Sequence, residues 1–147
     1  MNTTSPLRLG ILGCANIARQ FARDVAGSPA VRLVAVASRQ LDKAQAFAAD
    51  YGIPAAHGSY EALLADPQVQ AVYIPLPNHL HAAWAIRAAE AGKHVLCEKP
   101  LTLGLDDARA MFEAARRHGV MLLEAYPYYF QPQTGDMLAL LQGGEIG

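Results

Sequence analysis

The stretch GILGCANIA (10–18) decides the fold. An apolar run closing on Gly13 leads almost directly into a segment with Ile17, Phe21 and Val25 at four-residue spacing. Residues 7–13 are short and apolar enough for a strand covered on both faces, and the spacing that follows is helical. Gly27, Ser28 and Pro29 end that helix. VRLVAVAS (31–38) is rich in β-branched residues and reads as the next strand. Strand, tight turn, helix and strand in this order make a βαβ unit.

The same alternation continues outward. A helix is predicted over 41–51, with Gly52 and Pro54 beyond it, then a brief strand at 55–57 and a short helix over 60–65 capped by Ser59. A strand at 69–74 stops at Pro75, Leu76 and Pro77, and Asn78 is placed to cap a helix running to 91. A strand at 94–97 precedes a helix over 105–118, whose acids (Asp106, Asp107) and bases (Arg116, Arg117) are ordered to suit the helix dipole. A sixth strand falls at 121–125, and one more helix at 132–142. Six strands joined by helical crossovers predict an α/β fold with a doubly wound, mostly parallel sheet of the Rossmann type.

Composition narrows the class. At 147 residues the chain is of single-domain size, and such a domain buries about two-thirds of its unfolded surface. Apolar residues are 52% and charged residues 17%, which excludes a disordered chain. A net charge of −1 without a basic stripe gives no electrostatic footprint for nucleic acid. Two cysteines, Cys14 and Cys97, make no disulfide framework and read as small buried thiols. MNTTSPLRLG lacks the basic-then-apolar pattern of a secretory signal, and no run reaches the ~20 apolar residues of a membrane span. The expectation is a soluble cytoplasmic protein with no membrane partner.

Chemistry concentrates at the strand ends. Against the pattern G-x-G-x-x-G, the glycine positions fall on Gly13, Ala15 and Ala18, with Cys14, Asn16 and Ile17 between them. Alanine is the smallest alternative where backbone must approach a pyrophosphate or pack closely on a strand. Amides around Ala15, Asn16 and Ile17, at a helix N-terminus, are suited to face phosphates. The second strand ends about 20–25 residues later, as a dinucleotide-binding unit requires. It ends in Ser38 and Arg39 rather than in the acid that takes a ribose 2′-hydroxyl; Asp42 lies three residues beyond Arg39, on the helix. A hydroxyl and a guanidinium, with Lys43 nearby, suit a 2′-phosphate, which favours NADP over NAD.

PLPNHLH (75–81) supplies Leu76 and Pro77 as a flat wall for a cofactor ring or ribose, with Asn78 and His81 as polar contacts. His79 and His81 lack a third ligand, so no metal site is expected. KHVLCEKP (93–100) carries Glu98 and Lys99 to the carboxyl end of a strand, where open α/β sheets collect ligands. Lys99 is the candidate proton-handling catalytic residue, and Glu98 is placed to pair with it or to orient the nicotinamide ribose. Tyr126, Tyr128, Tyr129 and Phe130 either line a substrate pocket or cover the sheet edge.

Taken together, GILGCANIA, SRQLDKAQAFAADYGI, VYIPLPNHLH, AGKHVLCEKPLTL and LLEAYPYYFQPQ resemble the glucose–fructose oxidoreductase/inositol dehydrogenase/MocA family of NAD(P)-dependent oxidoreductases. The resemblance implies an N-terminal Rossmann domain, here 1–127, and a connecting segment, 128–147, leading to a C-terminal α/β domain this chain lacks. It implies that Lys99, in the family's EKP motif, takes part in nicotinamide-ribose binding and catalysis. Ser38 with Arg39, and EAY at 124–126, are similar to the sugar and diol dehydrogenase branch. This implies hydride transfer to or from a sugar, polyol or diol, with NADP, or alternatively NAD, as cofactor, in a homo-oligomeric full-length enzyme. Tyr129 and Gln131 stand where that branch often has Arg and His. The string ends at GGEIG (143–147), where the resemblance implies truncation at the domain junction. The alternative reading is a non-catalytic, stand-alone dinucleotide-binding or regulatory module.

Overall fold

The computed structural model describes residues 5–144; the start of the leader reading and the end of GGEIG lie outside the described residues. The chain alternates β1 (Leu7–Leu12), α1 (Asn16–Val25), β2 (Val31–Ala37), α2 (Leu41–Tyr51), β3 (Ala55–His57), α3 (Tyr60–Leu64) and β4 (Ala71–Ile74). It continues through α4 (His81–Glu90), β5 (His94–Glu98), α5 (Leu105–His118), β6 (Leu122–Ala125) and α6 (Pro132–Gln142). Single 3₁₀ turns occupy Asn78–Leu80 and Pro127–Phe130.

The six strands form one sheet in the order β3-β2-β1-β4-β5-β6, and every pairing is parallel. Strand order reverses between β1 and β4, so the crevice outside their carboxyl ends is the switch point where such sheets bind ligands. Both faces are covered, which is why the central strands read as nearly continuous apolar runs. On one face Ala18 and Ala22 of α1 and Phe47 and Ala48 of α2 pack against Leu9, Ile11, Val36 and Tyr73. On the other, Leu63, Ala85, Ala88 and Met111 from α3, α4 and α5 pack against Leu12, Val72, Ile74 and Cys97. Each fully buried Phe or Leu of these layers contributes roughly 1.5–3 kcal/mol of apolar transfer.

Small residues set the close approaches. A Cβ at Gly10 would meet Leu63 Cδ2 at 2.9 Å, so glycine there lets α3 lie against β1. Ser59 caps α3, its Oγ accepting the Ala62 N–H at 3.1 Å, as its position predicts. Asn78 does not cap α4. A 3₁₀ turn intervenes, the Leu80 N–H bonds Pro77 O at 2.8 Å, and the α-helix starts only at His81 with no side-chain cap. The fourth strand also starts later than its apolar run predicts, because the Val69 N–H is bonded to Asp66 O in a turn.

Candidate cofactor-binding site

The crevice above the carboxyl ends of β1 and β2 encloses about 580 Å³. Gly13, Cys14 and Ala15 form its floor, Ser38, Arg39 and Lys43 one side, and Pro75, Leu76 and Pro77 the other. A second hollow of about 290 Å³ shares Pro75 and Leu76 with it and adds Ile17, Asn78, Glu98 and Lys99. The shared wall makes these one groove running from β2 across β1 and β4 to β5.

The floor fits a dinucleotide phosphate. Gly13 has φ +106°, and a Cβ there would stand 2.9 Å from Leu76 Cδ2 and 3.7 Å from Tyr60 Oη, inside the groove. Glycine thus both permits the turn and leaves room for close backbone approach. No side chain caps α1, and its first intrahelical bond joins the Arg19 N–H to Ala15 O. The amides of Asn16, Ile17 and Ala18 therefore have no partner within the helix and carry the positive end of its dipole.

At the β2 end, Ser38 is buried and its Oγ accepts the Gln40 N–H at 3.2 Å, so the hydroxyl hydrogen remains a donor. Arg39 and Lys43 are exposed beside it. Tyr60, a groove-lining residue that sequence reading assigned only to the start of a short helix, packs edge-on against Trp84 at 4.9 Å. Burial pushes its phenol up, and the charge of Arg39 pulls the other way. It follows the carboxyl end of β3 by only three residues, and that strand-end position was the signal that could have found it. Cys14 is a weak nucleophile here, because burial raises its thiol more than Arg19 and Lys43 lower it.

At the β5 end, the Glu98 carboxylate is divided between two partners. Oε1 accepts the Tyr73 hydroxyl at 2.7 Å and Oε2 accepts the Lys99 N–H at 3.1 Å. Burial, then the Glu98 hydrogen bond, push the Tyr73 phenol well above its ordinary range, so it stays a donor. Of the two roles open to Glu98, the side-chain pair with Lys99 does not form; among the described residues no carboxylate lies within salt-bridge distance of the Lys99 ammonium. Lys99 is exposed and lines the groove. The Lys99–Pro100 peptide is cis. Glu124 of the EAY string grips the next residue, Oε1 accepting the Leu101 N–H at 2.8 Å.

His81 departs from its expected place. It is 0% exposed, and its ring nitrogens are bonded to Leu76 O and Pro100 O, so it cannot touch a molecule in the groove. The missed signal is helical periodicity: His81, Ala85 and Ala88 are buried on one face of α4. Asn16 stands exposed at the first position of α1. Tyr126, Tyr128, Tyr129 and Phe130 are exposed, and Tyr126 and Phe130 flank a hollow of about 250 Å³ that also reaches Ile17 and Glu98. Among the described residues no three metal-binding side chains come together, and no helix is long and apolar enough to cross a membrane.

Residues 7–126 match the model of an oxidoreductase family with an NAD-binding Rossmann fold. A D-xylose 1-dehydrogenase (NADP(+)) of Haloferax volcanii is 47% identical over 141 residues, covering 96% of this chain and 43% of that protein. A dTDP-3,4-didehydro-2,6-dideoxy-alpha-D-glucose 3-reductase of Actinomadura kijaniata is 42% identical over 144 residues, covering 97% of this chain and 43% of that protein. The crystal structure of KijD10, a 3-ketoreductase from Actinomadura kijaniata in complex with TDP-benzene and NADP, is similar with a TM-score of 0.88 and 42% identity, over 97% of this chain and 45% of that one. The chain spans less than half the length of these relatives. With its all-parallel sheet, and with its glycine turn and the Glu98 and Lys99 of its EKP motif lining one groove, the chain belongs to the glucose–fructose oxidoreductase/inositol dehydrogenase/MocA family of oxidoreductases.

Proposed function

We propose that this chain is the cofactor-binding part of an NADP(H)-dependent oxidoreductase acting on the CH–OH or C=O group of a sugar, polyol or diol. The observation that carries the reading is the single groove holding Gly13, Ser38, Arg39 and Lys43 at one end and Glu98 and Lys99 at the other. NADP bound there supplies a hydride donor or acceptor at the nicotinamide; the chain supplies orientation and proton handling. Amides of Ala15, Asn16 and Ile17 hold the pyrophosphate, and Ser38, Arg39 and Lys43 hold the 2′-phosphate. Leu76, Pro77 and Asn78 form the wall along the ribose and ring. Glu98, fixed by Tyr73, keeps the Lys99 backbone in place while its ammonium reaches the reacting oxygen. Lys99 then gives or takes the proton that accompanies hydride transfer.

Relatives whose names specify D-xylose and a dTDP-keto-sugar support the substrate class. The division into 1–127 and 128–147 is supported by the family match, which ends at 126. A cytoplasmic location and a homo-oligomeric longer form accompany the reading as expectations from composition and family resemblance. Fluorescence titration with NADPH and NADH, on the wild type and on Arg39→Ala, tests it. Losing the guanidinium should lower the preference for NADPH by at least about tenfold, from a charge-assisted phosphate contact, and leave NADH binding unchanged. An unaltered preference removes Arg39 from the 2′-phosphate site.

A further inference from the structure

His81 is a buried polar group that the chemistry above does not use. Its Nε2 lies 2.8 Å from Leu76 O and its Nδ1 2.9 Å from Pro100 O. Among the described residues, no backbone N–H bonds either carbonyl, so the imidazole is their hydrogen-bond partner. The two carbonyls belong to different strand-end segments. Leu76 follows β4 and walls both halves of the groove; Pro100 follows β5 and is bonded directly to Lys99. A carbonyl oxygen only accepts, so both bonds form together only when both ring nitrogens carry hydrogen. Glu98 and Glu124 bind the amides of Lys99 and Leu101, placing two carboxylates on the same turn.

We infer that His81 is a positioning residue: a two-armed clamp between the β4 wall and the β5 turn that fixes how far Lys99 stands from the cofactor wall. Phe, Leu or Met in its place would fill the volume, leave the Leu76 carbonyl buried without a donor and release the Pro100 carbonyl from the clamp. Glu124 holds the turn to its outer neighbour, β6, and Glu98 holds the Lys99 amide to Tyr73 inside β4. His81 adds a second tie, from Pro100 on the far side of Lys99 to Leu76 in the groove wall past the end of β4. The inference rests on the reading of Lys99 as a cofactor-facing residue, and the experiment separates the two.

On the chain labelled with ¹⁵N and ¹³C, scalar couplings across hydrogen bonds should link Nε2–H to Leu76 C′ and Nδ1–H to Pro100 C′. Absence of either overturns the clamp, and this measurement requires no variant to fold. NADPH titrations then compare His81→Gln and His81→Asn with the wild type, each also in the Lys99→Ala background. Each single variant should weaken binding by about tenfold, the effect of an unpaired buried carbonyl on a neighbouring contact. That loss should largely vanish once Lys99 is already truncated, since a residue acting through another is not additive with it. If Lys99→Ala weakens binding and the His81 effect persists undiminished, the positioning role is overturned while the cofactor reading stands. If Lys99→Ala leaves affinity unchanged, both the Lys99 reading and the role given to His81 are overturned.

Discussion

Lys93 and Lys99 flank the same strand, β5, and the fold uses them in opposite ways. Lys93, before the strand, is 9% exposed; its ammonium donates to Asp66 O at 2.9 Å and to Val69 O at 2.7 Å. It closes the turn that feeds β4 and contributes to folding. Lys99, after the strand, is exposed to the groove and free of carboxylate partners among the described residues. The difference lies in which end of a parallel sheet each residue meets. At the amino ends, connections from the preceding helices pack down and consume polar groups. At the carboxyl ends, the chain leaves for opposite faces and opens a crevice.

Substitutions should separate the two roles. Lys93→Ala strips two charge-assisted bonds from buried carbonyls and should cost about 3 kcal/mol in urea unfolding, with unchanged NADPH affinity for the folded molecules. Lys99→Ala should leave the unfolding midpoint within about 0.5 kcal/mol of wild type, as an exposed side chain does, and weaken NADPH binding. If Lys99→Ala proved the more destabilising of the two, the contrast would be broken. Next in size, Gly13→Ala forces an L-residue to φ +106° with its Cβ against Leu76. A stability loss of about 1–2 kcal/mol is expected from the backbone alone, and calorimetric titration should show NADPH binding lost with it.

The smallest effect is a pH dependence. Burial pushes the Lys93 ammonium below its ordinary value of 10.5, with Asp66 partly offsetting it. In the alkaline window just under 10.5 the unfolded chain then binds more protons than the folded one, so this group's contribution to stability rises with pH. The unfolding free energy of the wild type should therefore gain on that of Lys93→Ala across this window. An opposite slope would mean that the hydrogen bonds outweigh burial.

Of this contrast the Lys99 half was legible in the sequence and the burial of Lys93 was not, and the rest of the fold divides in the same way. Apolar runs at 7–13 and 31–38 mark strands because both sheet faces are covered, and α5 was readable to its ends because acids, bases and Gly119 signal each terminus. Gly13, Ser38, Arg39 and Lys99 were placed together because each follows a strand in a parallel sheet. Residues whose roles depend on backbone partners were not legible. His81 is bonded to carbonyls of Leu76 and Pro100, and Glu124 to the Leu101 amide, and no side-chain pattern records such bonds. The 3₁₀ turn at Asn78–Leu80 likewise overrode a good capping residue, because the Leu80 N–H reaches Pro77 O first.

The most direct test is a ¹⁵N–¹H titration of the chain with NADPH, following amides around both ends of β5 and across the glycine turn. Shifts should concentrate at residues 13–17, 38–43, 76, 78, 98 and 99, with Val69, Lys93 and their neighbours silent. Shifts centred on the Lys93 end of the sheet, or none at saturating NADPH, would contradict a coenzyme lying across the carboxyl ends of the strands.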